Sequence, residues 1–192
     1  PLPAPVVLST LAGAPELEVI VTALAGNGRI ERGQGAAASL EVDTVVREGD
    51  TLQLGADSLA HLRIGAAAGC VLGPGTRLGF TRIRADNSML QLFSGHVVSR
   101  LAPLAAGSHY VVGAGGYLAS VEGTHFEVSL ESQRVAVAVS SGRVAVRDAA
   151  GSLVAKLAAN ERFDSAGAAT EGSAEPLALD EPRTLGLPLS RW

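Results

Sequence analysis

Short runs of alternating apolar and polar residues, separated by turn signals, extend along most of this chain. Residues 59–64 (LAHLRI) alternate as a half-buried strand does, and residues 17–24 (LEVIVTAL) are β-branched in their middle. Residues 40–46 alternate more loosely and also predict a strand. Turn signals such as residues 26–28 (GNG) separate these runs. The pattern therefore predicts many short strands joined by tight turns.

Two stretches of the chain resemble each other at a nearly constant offset. Residues 75–78 (GTRL) align with residues 123–126 (GTHF), and residues 93–100 (FSGHVVSR) align with residues 140–147 (SSGRVAVR). The offset is 48 residues between 75 and 123 and 47 residues between 95 and 142. This agreement predicts an internal two-fold repeat of one β unit. A chance match is the alternative, because Val, Ala and Gly are frequent throughout the chain.

Four glycines have predicted structural roles in these units. Gly95 and Gly142 follow a serine at hairpin-like turns, where a positive φ is expected. Gly75 and Gly123 precede a threonine and permit a close backbone approach or a bulge before the next strand. All four are therefore expected to shape turns.

The composition supports an all-β fold. Hydrophobic residues make up 47% of the 192 residues and aromatic residues only 4%, so Val, Leu, Ile and Ala must fill the core. The low charged fraction of 18% and the 23 glycines argue against long helices. We expect a β-sandwich or a β-roll-like body of short strands at residues 16–164. A lead-in arm at residues 1–15 precedes it, and a linker and C-terminal tail at residues 165–192 follow it.

Charge and cysteine content restrict the partners. The net charge is −4 and no Lys/Arg cluster is present, so we expect no nucleic acid partner. Cys70 is the only cysteine, which excludes an intrachain disulfide and predicts a small buried residue. No apolar run reaches the length of a membrane span. Pro1 is either a mature end left by signal-peptide removal or a boundary of the sequence.

The residue pattern does not predict a catalytic centre. The four histidines (His61, His96, His109 and His125) form no short-spaced pair, so we expect no metal site. Asp57, Ser58 and His61 invite a hydrolase interpretation, but no Gly-x-Ser-x-Gly motif exists and the segment is typical of a turn. Residues 113–116 (GAGG) are not followed by a helical pattern, and aromatics for a sugar cleft are few. We therefore expect no enzyme, no catalytic residues and no cofactor.

Apolar residues gather again at the C-terminus after a stretch of small and polar residues. Trp and Arg are enriched in the cores of interfaces, so this cluster is a candidate anchor for a partner. The alternative is a tail that folds back on the body. The candidate anchor residues are Leu185, Leu187, Leu189, Arg191 and Trp192.

An ordered set of motifs between about residues 40 and 160 resembles the FecR-type periplasmic domain family. One departure is the turn at residues 66–70 (AAAGC), where the family commonly has Asp-Gly-Ser. The motifs are residues 48–52 (EGDTL), 54–60 (LGADSLA), 73–78 (GPGTRL), 92–97 (LFSGHV), 121–128 (VEGTHFEV) and 137–146 (VAVSSGRVAV).

The resemblance implies an all-β domain of the bacterial cell envelope that lacks catalytic residues and binds proteins. We expect a periplasmic or extracellular module for protein–protein recognition or assembly. Exposed β edges can pair with one another, so other copies of the chain are also candidate partners. Signalling members of the family relay the occupancy of an outer-membrane receptor to a sigma factor, which gives a sensor as the first alternative. The second is a carbohydrate-binding or cell-surface module, which needs an exposed aromatic platform.

Overall fold

Sixteen β-strands and no helix make up the part of the chain that the structure, a computed structural model, describes: residues 14–33, 35, 37–121 and 123–166. The predicted all-β fold is confirmed. The strands are β1 (Val19–Ala25), β2 (Gly28–Arg32), β3 (Ala38–Ser39), β4 (Val45–Val46), β5 (Asp50–Leu54), β6 (Leu59–Ile64), β7 (Ala68–Leu72), β8 (Arg77–Ile83), β9 (Asn87–Leu101), β10 (His109–Ala114), β11 (Tyr117–Val121), β12 (His125–Glu131), β13 (Arg134–Ser141), β14 (Val144–Arg147), β15 (Leu153–Leu157) and β16 (Arg162–Asp164).

The strands pair in two runs that share the long strand β9. The first run has the order β4-β1-β6-β7-β9-β12-β13-β16. The second run has the order β3-β2-β5-β8-β9-β10-β11-β14-β15. Only the β9–β10 pair is parallel among these pairings. Residues 87–94 of β9 pair in the second run and residues 95–101 pair in the first, so β9 passes from one run to the other.

The hydrophobic core lies between the two runs. Tyr110 of the second run packs edge-on against Phe126 of the first, with ring centroids 6.3 Å apart. The Tyr110 hydroxyl also lies 3.2 Å from the hydroxyl of Ser99, which satisfies both buried polar groups. Tyr117 and Phe163 make a second aromatic contact across the runs, at 5.3 Å. The two runs are therefore the two layers of a sandwich, and alternate residues of each strand face the core.

One predicted strand is mostly absent. Residues 40–46 were expected to be extended, but only Val45–Val46 forms a strand there. The backbone turns before it, because Thr44 N–H donates to the carbonyl of Glu41 at 3.2 Å. Asp43 has a φ of 66°, a left-handed conformation that aspartate tolerates and that ends an extended run. Loose alternation therefore overpredicted this strand.

The predicted internal repeat is not confirmed. The hairpin formed by β8 and β9 pairs within the second run, whereas the hairpin formed by β12 and β13 pairs within the first run. The chain continues as one strand through Gly95, whereas it breaks between β13 and β14 near Gly142. The two units therefore share local features in different surroundings.

Both ends of the described chain are tied to the body. Near the start, Leu17 N–H donates to the carbonyl of Ile83 at 2.8 Å. Near the end, Val135 N–H donates to Ser165 Oγ at 2.9 Å. Residues 1–13 and 167–192 lie outside the described residues, so the predicted limits of the arm, the body and the tail stay predictions.

Candidate recognition surface

The described residues contain no group of three or more His, Cys, Asp or Glu side chains that could hold a metal ion. Cys70 is buried in the core, and burial raises the pKa of its thiol to about 12. The thiolate is the reactive form of cysteine, so Cys70 is an inert packing residue at neutral pH.

The four histidines lie on four different strands. His61 is on β6, where burial lowers its pKa, and His109 begins β10 in the other layer. His96 of β9 lies opposite Ser129 of β12, which is four residues from His125. Four residues of strand span about 13 Å, too far for two side chains to share one ion. The positions of the four histidines on separate strands favour separate roles for their side chains.

Ser58 serves a turn in the first half of the molecule. Its Oγ accepts the N–H of Asn27 at 2.8 Å, and its side chain is buried against Gly26. A nucleophilic serine needs a base within hydrogen-bond reach and access to a substrate. The burial of Ser58 instead matches the turn expected from the sequence.

The first Gly-Thr step and the first Ser-Gly step meet in space, and we call Thr76 with Gly95 the first corner. Thr76 Oγ1 donates to the carbonyl of His96 at 2.9 Å and accepts the N–H of His96 at 3.1 Å. Gly95 has a φ of 82°, and a Cβ there would lie 2.6 Å from Thr76 Cα. The corner is therefore built by a buried threonine seated under a glycine.

The second Gly-Thr and Ser-Gly steps meet in the same manner, and we call Thr124 with Gly142 the second corner. Thr124 Oγ1 donates to the carbonyl of Arg143 at 3.0 Å. Gly142 has a φ of 84°, and a Cβ there would lie 2.7 Å from the carbonyl oxygen of Gly123. Gly75 and Gly123 also have positive φ values, of 66° and 120°. All four glycines thus have backbone conformations that favour glycine, and Gly95 has its positive φ within the continuous strand β9 instead of at a hairpin turn.

The outward side of the second run carries an unusual aromatic residue. Phe93 is 47% exposed, and its ring lies over Gly79 of the neighbouring strand, where a Cβ would be 3.0 Å from Phe93 Cε2. The guanidinium of Arg77 lies 4.9 Å from the centroid of that ring, within cation–π range. Arg77 Nη2 also lies 3.2 Å from Glu31 Oε2. Three strands therefore hold one exposed phenyl ring in a fixed position.

The same side of the second run is strongly basic. Its outward positions alternate with core residues such as Ile30, Val146 and Leu157, and the strand register extends this side from β2 to β15. We call it the basic face, because five of its strand positions are basic and one is acidic. The charged residues of the basic face are Arg29, Arg77, Arg82, Arg147, Lys156 and Glu31.

The basic face could not be identified from the sequence. The five bases are spread over residues 29–156, so no cluster is visible along the chain, and only the pairing of the strands gathers them. The sequence did contain a signal for Phe93. Residues on one side of a strand alternate, so Phe93 lies on the same outward side as Met89 and Gln91, whereas Leu90 and Leu92 face the core. The predicted partner anchor (Leu185, Leu187, Leu189, Arg191 and Trp192) lies outside the described residues.

The described strands leave one exposed aromatic side chain on the surface, Phe93. A single ring partly covered by Arg77 is not the flat platform expected of a carbohydrate-binding module. Within the same residues, no helix has the length and apolar character needed to cross a membrane.

Comparisons with known proteins agree on one family and one fold. The family model described as FecR protein matches residues 50–145, which is half of the chain. Two crystal structures of "a putative anti-sigma factor" from Parabacteroides distasonis ATCC 8503 match with a TM-score of 0.52 and 20% sequence identity. Each match covers 59% of this chain and 53% of that chain, so the chain corresponds to about half of its structural relative. No curated protein sequence matches the chain.

Proposed function

This chain belongs to the FecR protein family, and we propose that it is a non-catalytic protein–protein recognition module in a signal relay of the bacterial cell envelope. The family match carries this proposal, because residues 50–145 include both corners, Phe93 and Arg77. The structural relatives described as anti-sigma factors favour a relay to a sigma factor over a purely structural role. A periplasmic or extracellular location is part of the proposal.

We propose the Phe93 ring as the centre of the recognition surface. Interface energy concentrates in a few aromatic and arginine side chains that are held rigidly and become desolvated on binding. Phe93 and Arg77 are such a pair, and Glu31 fixes the arginine. A ring that is already held in place loses little conformational freedom when a partner covers it. The geometry therefore suits a binding contact that needs little rearrangement.

The test is transcription in the native bacterium. Deletion of the gene should change the expression of a small set of genes read by one alternative sigma factor. Wild-type protein should restore the pattern, and Phe93→Ala should restore it only in part while the protein accumulates normally. Val42→Ala is the matched control, because Val42 is 50% exposed and lies outside the basic face.

Two results would contradict the proposal in different ways. An unchanged transcriptome after deletion would remove the relay function and leave envelope assembly as the better interpretation. Full complementation by Phe93→Ala would keep the relay and move the recognition surface elsewhere. Fractionation of the cells that places the protein in the cytoplasm would overturn the proposed location.

A further inference from the structure

The basic face has a charge opposite to that of the whole chain. The chain has a net charge of −4, whereas the strand positions of the basic face carry five bases and one acid. Such a surface attracts acidic groups, and the attraction is screened by salt. Apolar side chains lie among the charges, because Phe93 and Leu153 are exposed there. A complementary ligand therefore combines several carboxylates with apolar residues.

One segment of this chain has that chemistry. Residues 171–181 (EGSAEPLALDE) contain four acidic residues, no basic residue, and the alternating leucines Leu177 and Leu179. The segment lies among the 26 residues that follow Ala166, outside the described residues. The acidic residues are Glu171, Glu175, Asp180 and Glu181.

The described chain ends in the first run, close to the turn between β10 and β11 of the second run. Ser165 is held to Val135 by two hydrogen bonds of 2.9 Å each. A methyl of Val135 lies 2.6 Å from the place where a Cβ on Gly115 would stand. Gly115 is in the turn between β10 and β11, and Leu118 of β11 belongs to the basic face. The chain therefore leaves the body on the core side of the β10–β11 turn, and the residues after Ala166 must pass the rim of the second run to reach the basic face.

The lengths agree as well. Eight strands of the second run, from β15 to β2, lie side by side across the basic face, which spans about 34 Å at about 4.8 Å per strand. Eleven extended residues span about 33 Å. Residues 167–170 provide about 13 Å more to reach the face from Ala166.

We infer that the acidic segment at residues 171–181 binds the basic face of the same chain. Its carboxylates pair with the exposed bases, and its leucines lie against the apolar side chains between them. The consequence for regulation rests on the function proposed above, because a segment bound there covers Phe93 and competes with a partner. The binding itself is independent of that function.

The test uses the full-length protein and nuclear magnetic resonance. The amide signals of the wild type are compared with those of a variant that carries Glu171→Gln, Glu175→Gln, Asp180→Asn and Glu181→Gln. Chemical-shift differences should concentrate on the basic face, at Gln91, Phe93, Gly113 and Leu118, and should disappear in 1 M salt. Dilution should leave them unchanged, because the contact is within one molecule.

A pair of charge reversals on the body provides the matched control. Arg147→Glu with Lys156→Glu alters two exposed bases of the basic face, and should abolish the shift differences and lower the fluorescence anisotropy of Trp192, the only tryptophan. Arg63→Glu with Arg100→Glu makes the same charge change on exposed residues of the first run and should change neither. Shift differences that are absent, that lie on the first run, or that vanish on dilution would overturn the inference. None of these outcomes depends on the transcription test of the proposed function.

Discussion

The two corners are built from the same residues, yet they connect the chain differently. In each, a threonine hydroxyl donates a hydrogen bond to the carbonyl of the residue after the glycine. The strand register also shifts by one residue beside each corner, between Arg77 and Leu78 at the first and between His125 and Phe126 at the second. At the first corner, β9 continues through the glycine into the other layer, and Thr76 makes two hydrogen bonds. At the second corner, the strand ends and the hydroxyl of Thr124 donates one such bond.

The difference between the corners shows that the short sequence match encodes a corner and not a whole repeated unit. A buried threonine under a left-handed glycine turns the chain from one layer to the other in both places. The path of the chain beyond each corner depends on which strands are free to pair there. The corners should therefore respond to the same substitutions, with different magnitudes.

The largest effects are expected from alanine at the two corner glycines. Gly95→Ala should destabilise the protein by about 3 kcal/mol or more, because the new Cβ meets the backbone of Thr76 and the φ of 82° is unfavourable for alanine. Gly142→Ala should cost somewhat less, because the new Cβ there meets one backbone atom at less than 3.0 Å, whereas the Cβ at Gly95 meets two. Urea denaturation measures both free energies of unfolding.

Gly151→Ala is the control for backbone strain alone. Gly151 has a φ of 82°, and nothing lies within 4 Å of the place a Cβ would take. Its substitution should cost only about 1 kcal/mol. Equal losses for Gly95→Ala and Gly151→Ala would show that the close packing of the corner does not matter.

Valine at the two corner threonines should have the next largest effects. Thr76→Val removes the hydroxyl that hydrogen-bonds both the N–H and the carbonyl of His96. It should lower the free energy of unfolding by about 2–3 kcal/mol. Thr124→Val removes the bond to the carbonyl of Arg143 and should cost about 1 kcal/mol. Serine at either position keeps the hydroxyl and is the control. A larger loss at Thr124 than at Thr76 would contradict the ranking of the corners.

The corners also show how much of the fold the sequence could predict. Alternation and turn residues predicted the all-β class, and a positive φ was expected at Gly95 and Gly142 because that conformation is a local requirement of a turn. The meeting of each Gly-Thr step with a Ser-Gly step over a buried threonine was not predicted. β9 pairs with strands of both layers, and strand pairing places Arg29 and Lys156 on the same face. Both features depend on contacts between distant parts of the chain. No local pattern specifies such contacts, so the basic face was missed.

A smaller, stabilising effect is expected at the hairpin turn between β12 and β13. Ser132 and Gln133 both have positive φ values, of 47° and 69°, as in a type I′ turn. Gln133→Gly should therefore stabilise the protein by about 1 kcal/mol, because glycine takes this conformation without strain. Ala85→Gly in the turn between β8 and β9 should destabilise slightly, because Ala85 is not among the residues with positive φ. Thermal unfolding of the two variants separates these opposite signs.

The smallest effects are expected from two carboxylates, one in each half of the molecule, as the pH falls. The pKa of Glu48 is lowered by the N–H of Ile83 and then by Arg84, and the pKa of Asp164 is lowered chiefly by the hydrogen bonds from Arg134. A folded-state pKa below the unfolded value stabilises the protein above the unfolded value, and this stabilisation is lost as the pH falls through the folded value. The melting temperatures of Glu48→Gln and Asp164→Asn should lie below that of the wild type at pH 7 and approach it as the pH falls through the lowered folded-state pKa values. Arg134 is more exposed than Arg84, so salt should screen its ion pair more strongly. At pH 7, 0.5 M salt should therefore reduce the melting-temperature difference between the wild type and Asp164→Asn more than that between the wild type and Glu48→Gln. An equal reduction would show that the two ion pairs are screened alike.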